Sequence, residues 1–181
     1  AGTMNDVTLN SAAHITDDGD AGTVIAADVL TADAAGSITI DTSVASANVS
    51  TSALGDVDID ETDAIVLADV DTNNGSITVD AGGQITATDV DSSNVDDDSN
   101  DIALTTTAGD IITGTVTAGT SNDVTLNSAA NITDDGNSGT VIAADQLTAL
   151  TEPGGLIDAA LQAELPLADD LVFGRLGPVA H

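Results

Sequence analysis

The sequence predicts an all-β chain wound into a parallel β-helix, a β-solenoid of about eight to nine coils, and three observations carry that expectation. Residues 1–32 are written out again at 118–149, with 27 of 32 positions identical at a fixed offset of 117, so a unit has been stacked on itself. Inside that long period a shorter phrase recurs: a small turn residue, a polar residue, then an alternating apolar run. The core available to such a chain is aliphatic and thin, since 41% of the residues are hydrophobic but there is one Phe and no Trp or Tyr.

The phrase begins at Asn5 (NDVTL), Gly22 (GTVIA), Gly36 (GSITI), Gly55 (GDVDI), Gly75 (GSITV), Asn100 (NDIAL), Asn122 (NDVTL), Gly139 (GTVIA) and Gly155 (GLIDA). Six phrases fill one 117-residue unit, which gives a coil of about 20 residues, within the range of solenoid repeats. Aligning them places Val7, Val24, Ile38, Val57, Ile77, Ile102, Val124 and Val141 in one column. Leu9, Ala26, Ile40, Ile59, Val79, Leu104, Leu126 and Ala143 follow two residues on. Period two in β-branched residues is a strand signature, and both columns face inward. The column between them, mostly polar, faces out.

A second short apolar patch follows in most coils, around Ile15, from Ala64, from Gln84, from Asp110 and around Ile132. Two or three short strands per coil, joined by Gly, Asn, Asp and Ser corners, make a stack on the order of 40 Å high. In the position before each strand, Asp6, Thr23, Ser37, Asp56, Ser76, Asp101, Asp123 and Thr140 mostly alternate acid with hydroxyl. Like charges facing each other in a ladder are destabilising, so this alternation suits stacking. Only Asp101 and Asp123 are expected to be adjacent acids. The competing architecture is a set of tandem β-sandwich modules, because about 117 residues also fits one such domain.

From Gly155 the phrase gives way to GLIDAALQAELPLADDLVFGRLGPVAH, where Leu156, Ala160, Leu161 and Leu165 follow helical spacing up to Pro166. The expected organisation is a β-solenoid over 1–154, with its second copy beginning at 118, and a C-terminal cap or docking segment over 155–181. A cap would cover an open strand edge. As a docking segment, LVFGRL would add a strand to a neighbouring subunit. The opening on the repeat itself suggests a mature or excised piece of something longer.

Twenty-eight of the 31 acidic residues are Asp, Arg175 is the sole basic residue, and the formal net charge is −30. Such a charge makes nucleic acid and anionic membranes poor partners and cations good ones. Without Cys there is neither a disulfide framework nor a thiolate metal site. No apolar run is long enough to span a bilayer, so no membrane insertion is expected.

Catalysis has little to work with, and the chain is expected not to be an enzyme. His14 becomes Asn131 in the second copy, His181 is terminal, and there is no Lys. No Ser/His/Asp or Cys/His set can be assembled. Metal binding has more material. Alternate carboxylates at Asp56, Asp58 and Asp60, at Asp69 and Asp71 with Asn73, and at Asp89, Asp91 and Asp96 with Asp97 and Asp98 lie on one side of extended segments. Clusters of this kind supply the several hard oxygen ligands that Ca²⁺ needs. DVDTNNG partly resembles a D-x-[DN]-x-[DN]-G calcium loop, with Asn74 at the Gly position and Gly75 one later. The competing reading is a solvated acidic face screened by bulk ions.

The run GSITIDTS, GDVDIDET, GSITVDAGGQITATD and NDIALTTTAGDIITG resembles the repeats of filamentous-haemagglutinin-like and other giant repetitive bacterial surface adhesins, over roughly residues 5 to 150. The resemblance implies a right-handed parallel β-helix exported to the cell surface, and no functional residues carry over, because those repeats are scaffold. The expected function is an extracellular structural or adhesive β-solenoid, a building block of a stalk, with a host-surface or matrix ligand as partner. The alternatives are a filament subunit that self-associates end to end through its solenoid faces and C-terminal segment, and a calcium-dependent binding module.

Overall fold

A computed structural model describes residues 5–19, 22, 24–97, 99–137, 139, 141–158, 161 and 170–175. It is an all-β solenoid of about seven turns. Among the described residues fifteen strands form a single sheet, and every strand pairing in it is parallel. In chain order they are β1 (Val7–Ser11), β2 (Ile15–Thr16), β3 (Ile25–Ala34), β4 (Ile38–Leu54), β5 (Val57–Glu61), β6 (Ile65–Asn74), β7 (Ile77–Ala81) and β8 (Ile85–Asp91). They continue with β9 (Ile102–Thr106), β10 (Ile111–Thr117), β11 (Val124–Ser128), β12 (Ile132–Asp134), β13 (Val141–Ala143), β14 (Gln146–Thr151) and β15 (Asp170–Arg175). No sandwich is formed among the described residues.

The strands run up the stack in two ladders that meet at β4. One contains β1, β3, β4, β6, β8 and β10, ending on β12 and β13, which pair with separate halves of β10. The other contains β2, β4, β5, β7, β9, β11, β14 and β15. The first ladder bends midway, as the register slip after Ala47 and the division of β12 from β13 show, so each coil has three faces.

Alternation decides what lies inside. Ile38, Val57, Ile77, Ile102 and Val124 stack directly, as do Ile40, Ile59, Val79, Leu104 and Leu126, and all are at most 2% exposed. Burying each such side chain contributes about 1.5–3 kcal/mol against the entropy of ordering the coil. Thr39, Asp58, Thr78, Ala103 and Thr125 form the outward row between them. Thus the central five members of each expected column are in place.

The outer members are not. Val7 stacks under Leu30 in the first ladder, Val141 lies on Thr115, and Val24 precedes β3 and is 37% exposed. The phrases at Gly22 and Gly139 lead into the third face of a coil already begun, which is why nine phrases give about seven turns. At ~4.8 Å per rung the stack is about 34 Å high.

The offset of 117 residues equals five full turns plus one face. From β1 the chain revisits the first ladder at residues 30–34, 47–51, 69–72, 89–91 and 115–117, then passes to β11 in the second. The two copies therefore keep the same local pairing, Val7 with Leu30 and Val124 with Leu147, on different faces of the solenoid.

Corners are tight and hydrogen-bonded. A Cβ on Gly55 would lie 2.4 Å from the Ser37 nitrogen in the turn below, so nothing larger fits. Gly19 and Gly136, at equivalent places in the two copies, have φ of 74° and 77°, where a side chain is strained. Inside the corners, Thr72 Oγ1 donates to the Gly75 carbonyl at 2.5 Å and Ser128 Oγ to that of Asn131 at 2.9 Å.

At the far end, β15 lies on β14, with Gln146 opposite Asp170 and Thr151 opposite Arg175. The LVFGR portion thus adds a strand within its own chain. Leu161 is 1% exposed, while Ala160, Leu165 and Pro166 lie outside the described residues.

Candidate functional site: the acidic rungs

Parallel stacking in register turns alternate acids along a strand into vertical rows across coils. On the second ladder, Asp41 lies opposite Asp60 and Asp60 opposite Asp80, with Asp58 one row over between Thr39 and Thr78. On the first, Asp71 lies opposite Asp91, and Asp69 and Asp89 sit one residue before the paired Val70 and Val90. The second group is a two-by-two patch of carboxylates on one outer surface. Aspartates at this spacing repel one another directly.

Titration follows that geometry. Partial burial, followed by the charges of Asp69, Asp91 and Asp89, pushes Asp71 up to about 6. Asp89 is raised by burial, then by Asp69 and Asp91. Burial and the neighbouring carboxylates also raise Asp41, Asp58 and Asp60. Each is harder to ionise than an isolated aspartate, because burial and like charge both disfavour the carboxylate.

Other acids are structural. Asp56 Oδ1 accepts the Ser76 N–H at 2.9 Å in the next coil, and the Asp56 N–H donates to Ser37 Oγ at 3.3 Å. Asp101 Oδ1 accepts the Asp123 N–H at 2.9 Å, and Asp123 is raised by burial and then by Asp101, the adjacent pair the sequence led us to expect. Asp96 is the most engaged. Its oxygens accept the Thr120 N–H at 3.1 Å, Thr120 Oγ1 at 2.6 Å, the Ser121 N–H at 3.0 Å and Asn122 Nδ2 at 3.2 Å, and these donors hold its pKa below the usual value. It clamps the turn that opens the second copy.

The three sequence clusters are therefore redistributed. Asp58 and Asp60 join Asp41 and Asp80; Asp69, Asp71, Asp89 and Asp91 come together; Asp56 and Asp96 serve corners; Asn73 sits half-buried beside the patch. Asp98 lies outside the described residues. DVDTNNG is extended strand through Asn74, with Thr72 pointing inward, and so is not a loop that wraps an ion. Among the described residues no three acidic or histidine side chains converge at metal-binding distance. Asp41 and Asp80 were invisible as partners of Asp60 because they lie 19 and 20 residues away, and only the register brings them together.

Glu61 is a different case, 4% exposed at an inner corner. Its Oε2 accepts Thr42 Oγ1 at 2.8 Å and the Val44 N–H at 3.0 Å, and Oε1 accepts the Asp63 N–H at 3.2 Å. Burial raises its pKa in spite of these donors. His14 is a corner residue too: its Nδ1 accepts the Ser37 N–H at 2.9 Å, and in the second copy Asn131 Oδ1 accepts the Leu156 N–H at 3.0 Å. The exchange of His for Asn thus preserves one acceptor. Comparison with known proteins finds no family model, no curated protein and no solved structure that matches this chain.

Proposed function

We propose that the chain is an extracellular structural or adhesive β-solenoid, a segment of a cell-surface stalk of the filamentous-haemagglutinin-like kind, with no catalytic role. The observation that carries this reading is the continuous parallel ladder with one aliphatic core from the first coil to the last. Such a stack holds its outer faces at fixed spacing and spreads any contact along its length. Short Asp, Thr and Ser side chains on those faces keep the rod solvated. Immunogold labelling of the producing cell, with electron microscopy of the purified chain, tests it: surface label and short rods are expected, and cytoplasmic label overturns it.

A filament subunit that stacks end to end is the second reading, favoured by β1 and β15, each of which pairs with a single strand among the described residues; micrographs showing only single rods at high concentration would remove it. A calcium-dependent binding module is the third, favoured by the Asp69, Asp71, Asp89 and Asp91 patch. Calorimetric titration with Ca²⁺ at moderate ionic strength checks it, and an absence of saturable heat sinks it.

A further inference from the structure

The first coil ends in an open edge, and its interior twin shows what fits there. β11 lies on β9, with Val124 on Ile102 and Leu126 on Leu104; Ile132 lies on Ile111; Ile142 lies on Val116. That single underlying coil leaves Val124, Leu126 and Ile132 at 0% exposure and Ile142 at 2%. The corresponding Val7, Leu9, Ile15 and Ile25 have the same side chains, and β1 has the same register to the strand above. They are only partly buried, and among the described residues no strand lies beneath them.

The two copies differ on this point by a neighbour alone. We propose that the underside of the first coil is a docking surface for a parallel β-coil of the type made by residues 100–117, with Ile and Leu at alternate inward positions. Its outward residues on the covering strand, Ala103 and Thr105, are uncharged, so beneath Thr8 and Asn10 it adds no like charge; at the corner its Asp101 meets Asp6, the counterpart of Asp123, whose N–H Asp101 accepts in the second copy. Residues 100–117 of the chain itself already have a coil on each side, so the occupant comes from elsewhere. This inference rests on the solenoid rod reading and names the kind of segment its open end takes.

A chain carrying an extra copy of residues 95–117 ahead of residue 1 recreates before Ala1 the junction found before Ala118. Hydrogen exchange is expected to slow roughly a hundredfold at Val7–Ser11, approaching the rates of Val124–Ser128. A matching graft with Asp at the copies of Ile102 and Leu104 is expected to give no protection. Unchanged exchange at Val7–Ser11 in the first graft, with Val124–Ser128 still protected, overturns the proposal. Fibres of the unextended chain that protect the same amides assign the surface to a second copy and also overturn it. In a separate variant, Leu9→Asp in the extended chain is expected to abolish the gain, and retention of the gain counts against docking at this edge. None of these readouts depends on where the protein resides, so failure of the cell-surface reading is distinguishable.

Discussion

Residues 7–25 and 124–142 are nearly the same sequence, and their described residues fold to the same local pattern and are buried to different extents. Ser11 Oγ donates to the His14 carbonyl at 2.9 Å and accepts the Ala13 N–H at 3.2 Å; Ser128 Oγ repeats both bonds, to Asn131 and from Ala130, at the same distances. Yet Val7, Leu9, Ile15 and Ile25 remain partly exposed where Val124, Leu126, Ile132 and Ile142 are buried. Local geometry is written in the phrase, whereas burial is supplied by the coils above and below. In a solenoid, stability is a property of interfaces between repeats as much as of the repeat.

The comparison breaks most visibly under a matched pair of truncations. Leu126→Ala is expected to cost about 3 kcal/mol, the cost of a cavity in a closed core, and Leu9→Ala about 1 kcal/mol, because its site is already half open to water. Amide exchange followed coil by coil measures both, and equal losses would mean that the first coil is covered in solution.

The next largest effect falls on the clamp. Asp96→Ala removes the acceptor of the Thr120, Ser121 and Asn122 donors, and local stability at this turn is expected to fall with it. Exchange is expected to rise at residues 120–124 and to stay unchanged at 5–9, where Asp96 makes no contact. A uniform rise along the rod would show that the clamp acts on the whole stack.

The acidic rungs respond to pH. A pKa raised in the folded state means that the fold holds the proton more tightly than the unfolded chain does. The contribution of Asp71 is therefore fully present below 3.8 and lost as pH rises through about 6. Asp96, with its lowered pKa, works the other way, and its contribution disappears as pH falls below the ordinary value. The rod is expected to melt higher at pH 5 than at pH 7.5, and Asp71→Asn to flatten that difference by less than about 1 kcal/mol, since solvent screens the half-exposed patch. Thermal melts across pH check both.

The smallest effect sharpens the equivalence of the copies. His14→Asn makes the first corner match the second, one side-chain acceptor replacing another, and is expected to change stability by under about 0.5 kcal/mol. Chemical denaturation of the two chains measures it.

The ladder from Ile38 to Val124 was legible in the sequence because period two in β-branched residues has one physical reading, a strand with one side buried. The two GTVIA phrases misled because they belong to the third face of a coil and carry their inward residues one place later, at Ile25 and Ala27 and at Ile142 and Ala144. The acid groups were legible along each strand and not across strands. Asp58 and Asp60 were found by spacing, but Asp41 and Asp80 belong beside them through pairing of residues 19 and 20 apart. Asp96 looked like one more acid in a run, and its engagement with Thr120 spans 24 residues.

The sequence by itself determined the strand phrase, the inward columns of the central coils, the corner residues and the strong negative charge, since all of these follow from local periodicity and composition. Only the tertiary structure decided which of three faces each strand occupies, that 117 residues make five turns and one face, which carboxylates stand together, and which copy of the repeat is covered. Those depend on how many residues each coil spends on its corners. That count sets the register between strands some 20 residues apart, and no local pattern carries it.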